Sequence, residues 1–121
     1  ITLRAKVDLW VDYIKRNYVP NFPKAREIAE ELLATNQGHN NLEDALRHAD
    51  WSKRMAEEIN PLTSYLAGVG HEIENLLEGS PLNETRMDLH NNAEGRAAAR
   101  EGRPIDTENL ATSPNNVKGI Y

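Results

Sequence analysis

Between Gly38 and Arg96 the sequence places acid, imidazole and carboxamide groups at positions that would face inward in an amphipathic helix. They fall in three successive segments, GHNNLEDALRHADW, GVGHEIENLLEG and MDLHNNAEGR. Burying such groups costs several kcal/mol unless they pair with one another or bind a metal ion. The pattern therefore favours a fold in which several helices meet around one polar site.

Length and composition limit the alternatives. A chain of 121 residues can form one hydrophobic core, hence one domain. The net charge of -5 argues against stable nucleic-acid binding, because phosphates require a basic surface. The absence of cysteine excludes disulfides and thiolate ligands.

Localisation is weakly constrained by the sequence. No apolar run reaches the roughly 18 residues of a membrane span. We expect a soluble protein, cytoplasmic in the producing cell or released to act on the envelope. A chain that starts at Ile1 leaves room for a missing leader or targeting domain.

Apolar residues recur at helical spacing in five stretches, separated by proline, glycine and asparagine. The predicted helices cover about residues 2–18, 22–34, 40–59, 61–78 and 82–100. Asparagine or serine before a helix is a capping signal, and proline favours the first turn. The predicted caps are Asn21, Asn41, Asn60 before Pro61, and Ser80 before Pro81.

The predicted fold class is all-α, a single compact bundle of about five helices. Residues 1–101 would form the helical catalytic domain, and residues 102–121 an irregular tail packed on it. The residues expected to face the core are Leu3, Val7, Trp10, Val11, Ile14 and Tyr18 in the first helix, Leu62, Tyr65, Leu66, Val69, Ile73, Leu76 and Leu77 in the fourth, Met87, Leu89, Ala93 and Ala97 in the fifth, and Ile105, Leu110, Val117 or Ile120 in the tail.

Asp44 and His48 lie four residues apart, so they share one face of the third helix. The carboxylate could orient the imidazole, or both could bind one metal ion. Two structural alternatives stay open. Asn41 and Asp44 have the spacing of a capping box, and His48 could be a core histidine with a satisfied hydrogen bond.

His71 and Glu72 follow the small apolar run Ala67-Gly68-Val69-Gly70, which lets another helix or a ligand approach closely. Asn75 extends the same polar strip by one turn. On the next helix Asp88, Asn91, Asn92 and Gly95 form a complete helical stripe of small residues. Asp and Asn are poor helix-interior residues, so the stripe favours a site over a solvated face.

Imidazole nitrogen and carboxylate oxygen together suit a divalent metal, with Zn²⁺ the first expectation and Mn²⁺ or Mg²⁺ the alternatives. A bound metal would supply hydroxide near neutral pH, with Glu72 as general base. The predicted metal ligands are His48, His71 and Asp88. The predicted catalytic residues are Glu72, His48 and Asp44, and the predicted substrate contacts are Asn75, Asn91, Asn92, Arg96 and Trp51.

Four groups of residues carry a resemblance to a known family. They are His39-Asn40, Asp44-Ala45-Leu46-Arg47-His48-Ala49-Asp50-Trp51, His71-Glu72, and Met87-Asp88-Leu89-His90-Asn91-Asn92-Ala93-Glu94-Gly95-Arg96. Together they resemble small helical domains of phage proteins and of bacterial polymorphic-toxin C-termini. That resemblance implies a hydrolytic activity directed at the bacterial envelope, such as peptidoglycan cleavage by a lysis enzyme.

A second resemblance is to the HD-type metal phosphohydrolases, which use a His, a later His-Asp and a final Asp on helices. His48, His71-Glu72 and Asp88 follow that order, with Glu72 replacing the Asp. We therefore expect a metal-dependent hydrolase acting on a cell-envelope polymer. The alternatives are an HD-like enzyme acting on a small phosphoester, a toxin domain, or a non-catalytic helical module held by a buried polar network.

Overall fold

Five α-helices make up most of the chain in a computed structural model, which describes residues 2–18, 22–35, 38–39 and 41–115. They are α1 (Leu3–Tyr18), α2 (Phe22–Thr35), α3 (Leu42–Glu58), α4 (Pro61–Leu77) and α5 (Leu82–Glu101), followed by a 3-10 turn at Thr107–Asn109. The described residues contain no β-strand. The prediction of an all-α five-helix bundle with an irregular C-terminal tail is confirmed.

Asparagine caps set two of the helix starts as predicted. The Asn41 Oδ1 accepts a hydrogen bond from the Asp44 N–H at 3.0 Å, and the Asn60 Oδ1 accepts one from the Thr63 N–H at 2.7 Å. The Ser80 cap is wrong, because Pro81 is the N-cap of α5 and provides no side-chain hydrogen bond. The Asn21 cap lies outside the described residues.

Helices α2 and α3 meet through an apolar contact. Ile28 of α2 and Met55 of α3 are fully buried in one cluster, which also includes Ala25 and Ala67. The indole N–H of Trp51 donates to the Ala25 carbonyl oxygen at 3.0 Å. This directional hydrogen bond helps to fix the position of α2 along α3, which apolar packing defines less strictly.

Helices α3 and α5 form the most extensive helix–helix contact among the described residues, and small residues make it close. A Cβ added at Gly95 would overlap the Ala49 carbonyl oxygen and lie 3.1 Å from the Ala49 Cα. Asn92 is fully buried at the same contact. With its amide nitrogen facing the surrounding acceptors, it donates to the Ser52 Oγ at 3.1 Å and the His48 carbonyl at 3.2 Å.

The predicted apolar faces of α1 and α4 are largely wrong. Leu3 and Trp10 are exposed, although Val11 is buried. The side chains of Ile14 and Tyr18 lie outside what the structure describes. On α4 the exposed large apolar residues are Leu62, Tyr65, Ile73 and Leu76, and the buried residues are Thr63, Ser64, Ala67, Gly68 and Glu72.

The physical reason on α4 is the close approach of α5. A Cβ at Gly68 would lie 3.0 Å from the Asn92 side-chain amide, so α5 leaves room for only a small residue at this position. On α5 itself Met87 is buried as expected, whereas Leu89, Ala93 and Ala97 are only half-buried. The buried positions there include Asn91, Asn92, Glu94 and Gly95.

The tail crosses the outer side of the α3–α5 contact. Leu110 is buried against Ala45 and Ala49, and Ile105 packs beside them. Val117 and Ile120, also predicted to pack, lie outside the described residues. None of the helices among the described residues is both long and apolar enough to cross a membrane.

Candidate functional site

The contact between α3 and α5 brings three predicted site residues together. His48 Nε2 lies 3.3 Å from the Asp44 Oδ1 and 3.3 Å from the Asp88 Oδ1. The ligand atoms of the three residues all lie within 4.8 Å of one another. Asp44 and His48 share a face of α3 because they are one turn apart, and the small side of α5 lets Asp88 approach them.

Arg47 orients the Asp44 carboxylate. Its Nη2 donates to the Asp44 Oδ1 at 2.7 Å, and its Nη1 donates to the Gly38 carbonyl at 2.9 Å. The Asp44 side chain is only 3% exposed. The Arg47 guanidinium therefore pairs with the buried Asp44 carboxylate, which also lies 3.3 Å from the His48 imidazole. Sequence reasoning did not assign Arg47 a role, although its spacing from Asp44 was a usable signal.

Glu72 brings a third carboxyl to the site from α4. Its side chain is buried, and neither of its oxygens has a hydrogen-bond partner of good geometry among the described residues. Burial, followed by the neighbouring Asp88 carboxyl, raises the pKa of Glu72 to about 9. Burial also raises the pKa of Asp88, with the charge of Asp44 adding to it and that of His48 opposing it.

The donor set fits a divalent cation. Buried polar atoms are normally hydrogen-bonded, yet among the described residues the His48 Nδ1, the Asp88 Oδ1 and both Glu72 oxygens make no hydrogen bond of good geometry, although the Asp88 Oδ1 lies 3.3 Å from the His48 Nε2. Three buried carboxyls around one imidazole also repel one another unless a proton or cation intervenes. Asp44, His48 and Asp88 are the residues that could hold such an ion, with oxygen and nitrogen ligands that suit Zn²⁺, Mn²⁺ or Mg²⁺.

His71, predicted as a metal ligand, lies outside this group. Its ring centroid is 6.3 Å from that of His48, its side chain is exposed, and its Nε2 lies 3.4 Å from the Asn75 Nδ2. Asp44, predicted as a catalytic partner, is instead the third residue of the group that could hold an ion. The difference arises because α4 turns Glu72 inward, which leaves the preceding residue at the rim.

A cavity of about 290 Å³ lies beside the cluster. His48 and His71 line it, and the Trp51 ring meets the His71 ring edge-on with centroids 5.8 Å apart. Helix α2 contributes Ala29 and Leu33, and Arg47 completes the lining. Trp51, predicted to contact substrate, thus lies on a cavity wall. The α2 residues were missed because nothing polar marks them in the sequence.

The three predicted substrate contacts on α5 all make contacts within the protein. Asn91 exchanges two hydrogen bonds with the Ala111 backbone, at 2.9 and 2.8 Å. The Arg96 guanidinium lies over the Tyr65 ring, 5.2 Å from its centroid. Asn92 bridges α5 to α3 as described above. The polar stripe on α5 therefore divides between the site, the tail and helix packing.

The family to which the chain belongs is shown by a match over residues 17–118 to DUF6973, described as a domain of unknown function. The matched region contains Asp44, His48, Glu72 and Asp88, and leaves out nearly all of α1. Neither a curated protein nor a solved structure matches the chain significantly.

Proposed function

We propose that this protein is a hydrolase in which Asp44, His48 and Asp88 hold a divalent metal, with Zn²⁺ as the first candidate. The observation that supports the proposal is the compact Asp–His–Asp group, which lies among buried polar atoms that make no hydrogen bond of good geometry. When bound, a metal of this kind supplies a Lewis acid and an activated water.

Glu72 is the proton-transfer group in this proposal. It lies beside Asp88 and does not belong to the compact ligand group, so its carboxyl can exchange a proton with water or a leaving group. Its raised pKa keeps it protonated at neutral pH in the protein alone. A cation held beside Asp88 would lower the pKa of Glu72 toward neutral pH. A general base is most effective when its pKa is near the working pH.

The cavity supports a substrate that presents one compact group at the site. Its volume of about 290 Å³ is at the small end for ligand pockets, and Trp51 and Leu33 give it an apolar wall. Bacterial peptidoglycan is the preferred substrate, on the strength of the resemblance to phage and toxin domains. A phosphoester is the second choice, and the exposed His71 counts against the HD-type ligand set that would favour it.

The first experiment measures bound metal by mass spectrometry in wild type and in Asp88→Asn, with Asp12→Asn as a control on the exposed surface of α1. We expect near-stoichiometric metal in wild type and in the control, and its loss in Asp88→Asn. Active protein should then reduce the turbidity of purified cell walls. Release of nitrophenol from a bis-nitrophenyl phosphate would indicate the phosphoester alternative instead.

A non-catalytic role is the competing proposal, and one contact favours it. His48 Nε2 is equally distant from two carboxylates, as in a buried network that fixes the register of α3 against α5. On this account no metal binds, Zn²⁺ and Mn²⁺ leave the melting temperature unchanged, and Asp88→Asn only destabilises the fold. That set of results would overturn the hydrolase proposal.

A further inference from the structure

Helix α1 exposes four large apolar side chains. Leu3 is 74% exposed, Leu9 59%, Trp10 64% and Tyr13 50%. The Trp10 and Tyr13 rings meet edge to face with centroids 6.0 Å apart, and with Leu9 they border a shallow surface hollow. An exposed aromatic pair of this kind is typical of an interaction surface.

These residues form one face of the helix together with basic residues. Leu3, Lys6, Trp10 and Tyr13 follow one another at steps of three or four, so they line up along α1. Leu9 and Arg16 flank Tyr13 on the same side. We call these six residues the α1 outer face. Asp8 and Asp12 lie about a third of a turn or more around the helix from its centre.

Charge distinguishes α1 from the rest of the chain. The helix carries four basic and two acidic residues, a net +2, whereas the whole chain carries -5, so the remainder carries -7. The charged members of the α1 outer face are Lys6 and Arg16, and Arg16 lies 3.9 Å from the Asp12 carboxylate at the edge of the face. Two copies meeting through this face would bring like charges together, which disfavours a symmetric dimer.

We propose that the α1 outer face binds an anionic lipid surface. Helices that lie in the membrane interface typically combine tryptophan, tyrosine and leucine with lysine and arginine. Attachment through α1 would turn the acidic remainder of the protein away from anionic headgroups. Because α1 lies almost wholly outside the family match, this function would be added to the family domain and is independent of the metal site.

The test is co-sedimentation of the full chain with vesicles of phosphatidylglycerol and phosphatidylcholine, compared with phosphatidylcholine alone. We expect binding to the anionic vesicles only, weakening as salt increases. Trp10 fluorescence should shift to the blue on binding. Trp10→Ala/Tyr13→Ala should reduce partitioning at least about tenfold, and Leu62→Ala, an equally exposed residue on α4, should leave it unchanged.

Variants that remove one basic residue each distinguish electrostatic lipid binding from nonspecific hydrophobic adsorption. Lys6→Gln should weaken partitioning roughly fivefold, the contribution of one basic residue near an anionic surface. Arg86→Gln removes an exposed charge on α5 and should have no effect. The proposal is overturned if the anionic vesicles bind no protein, or if the Trp10/Tyr13 variant binds as well as wild type. Wild-type self-association that this double variant abolishes would reassign the face to a second copy.

Discussion

The α2–α3 and α3–α5 contacts share one helix but are built from different chemistry. The first buries Ile28 and Met55, apolar side chains that can adjust to small displacements. The second places Gly95 directly against the Ala49 backbone and buries Asn92. A small displacement of α5 along α3 would break the Asn92 hydrogen bonds. The apolar contact therefore supplies stability. The polar contact sets the register of α3 against α5, on which the Asp44–His48–Asp88 group depends.

The largest effect is expected where backbone meets backbone. Gly95→Ala introduces a Cβ that overlaps the Ala49 carbonyl oxygen, so α3 and α5 must separate. We expect a loss of at least about 3 kcal/mol in the free energy of unfolding, measured by urea denaturation. Gly70→Ala is the matched control, because a Cβ there meets nothing within 4 Å. It should stabilise the protein by about 0.5–1 kcal/mol. Equal effects at both glycines would contradict the close α3–α5 contact.

The apolar contact should lose stability without losing the site. Ile28→Ala leaves a cavity between α2 and α3 and should cost about 2–4 kcal/mol by the same measurement. Metal content of the folded variant should equal that of wild type, because Asp44, His48 and Asp88 keep their positions. A loss of metal in folded Ile28→Ala would mean that the two contacts are coupled, and the distinction between them would fail.

Glu72 should destabilise the metal-free protein as pH rises. Its folded pKa is raised from 4.5 to about 9, so the native state binds more protons than the unfolded state across that interval. Stability therefore falls from about pH 4.5 to about pH 9. At pH 8, Glu72→Gln should be more stable than wild type by roughly 1–3 kcal/mol. Glu57→Gln, on the exposed surface, should match wild type, and a destabilised Glu72→Gln would show that the carboxylate is paired.

The smallest effect concerns the tail. Burial opposes ionisation of Glu94, but hydrogen bonds from Arg103, the Asp106 N–H and Asn109 outweigh it and lower its pKa. Its contribution is therefore present above the ordinary pKa of a glutamate and is lost as pH falls through the lowered value. Glu94→Gln should cost about 1–2 kcal/mol at pH 7, a difference that shrinks in acid. Thermal melts across pH test this, with exposed Glu108→Gln as the neutral control.

Local signals in the sequence predicted the helices well. Asn41 and Asn60 both cap the helices that their positions indicate, because capping depends on residues within one turn. The clustering of Asp44, His48 and Asp88 could also be anticipated, since each is a polar residue on an inward face. Glu72 was identified as a site residue for the same reason.

Tertiary context decided what the sequence could not. Helix α4 turns Ser64 and Gly68 inward, although its leucines gave a stronger apolar face. The Ser64 hydroxyl donates to the Ser52 carbonyl oxygen of α3 at 2.7 Å, and Gly68 lies against the Asn92 side chain of α5. The contact between Asn91 and Ala111 could not be predicted, because the two residues are 20 positions apart and Ala111 lies in a segment without periodicity. Hydrophobic periodicity shows which residues can be buried, but not which neighbour they will meet.

The anchoring of the tail has a consequence for synthesis on the ribosome. Leu110 packs against Ala45 and Ala49, so a segment made late supports the helix that supplies Asp44 and His48. The nascent chain can form α2, α3 and α4 early, but the support for α3 is missing until residues 103–111 have emerged. A ribosome stalled before Leu110 would therefore carry a helical protein whose site is not yet fixed in place. The Asp44–His48–Asp88 group would therefore be fixed in place only late in the synthesis of this domain.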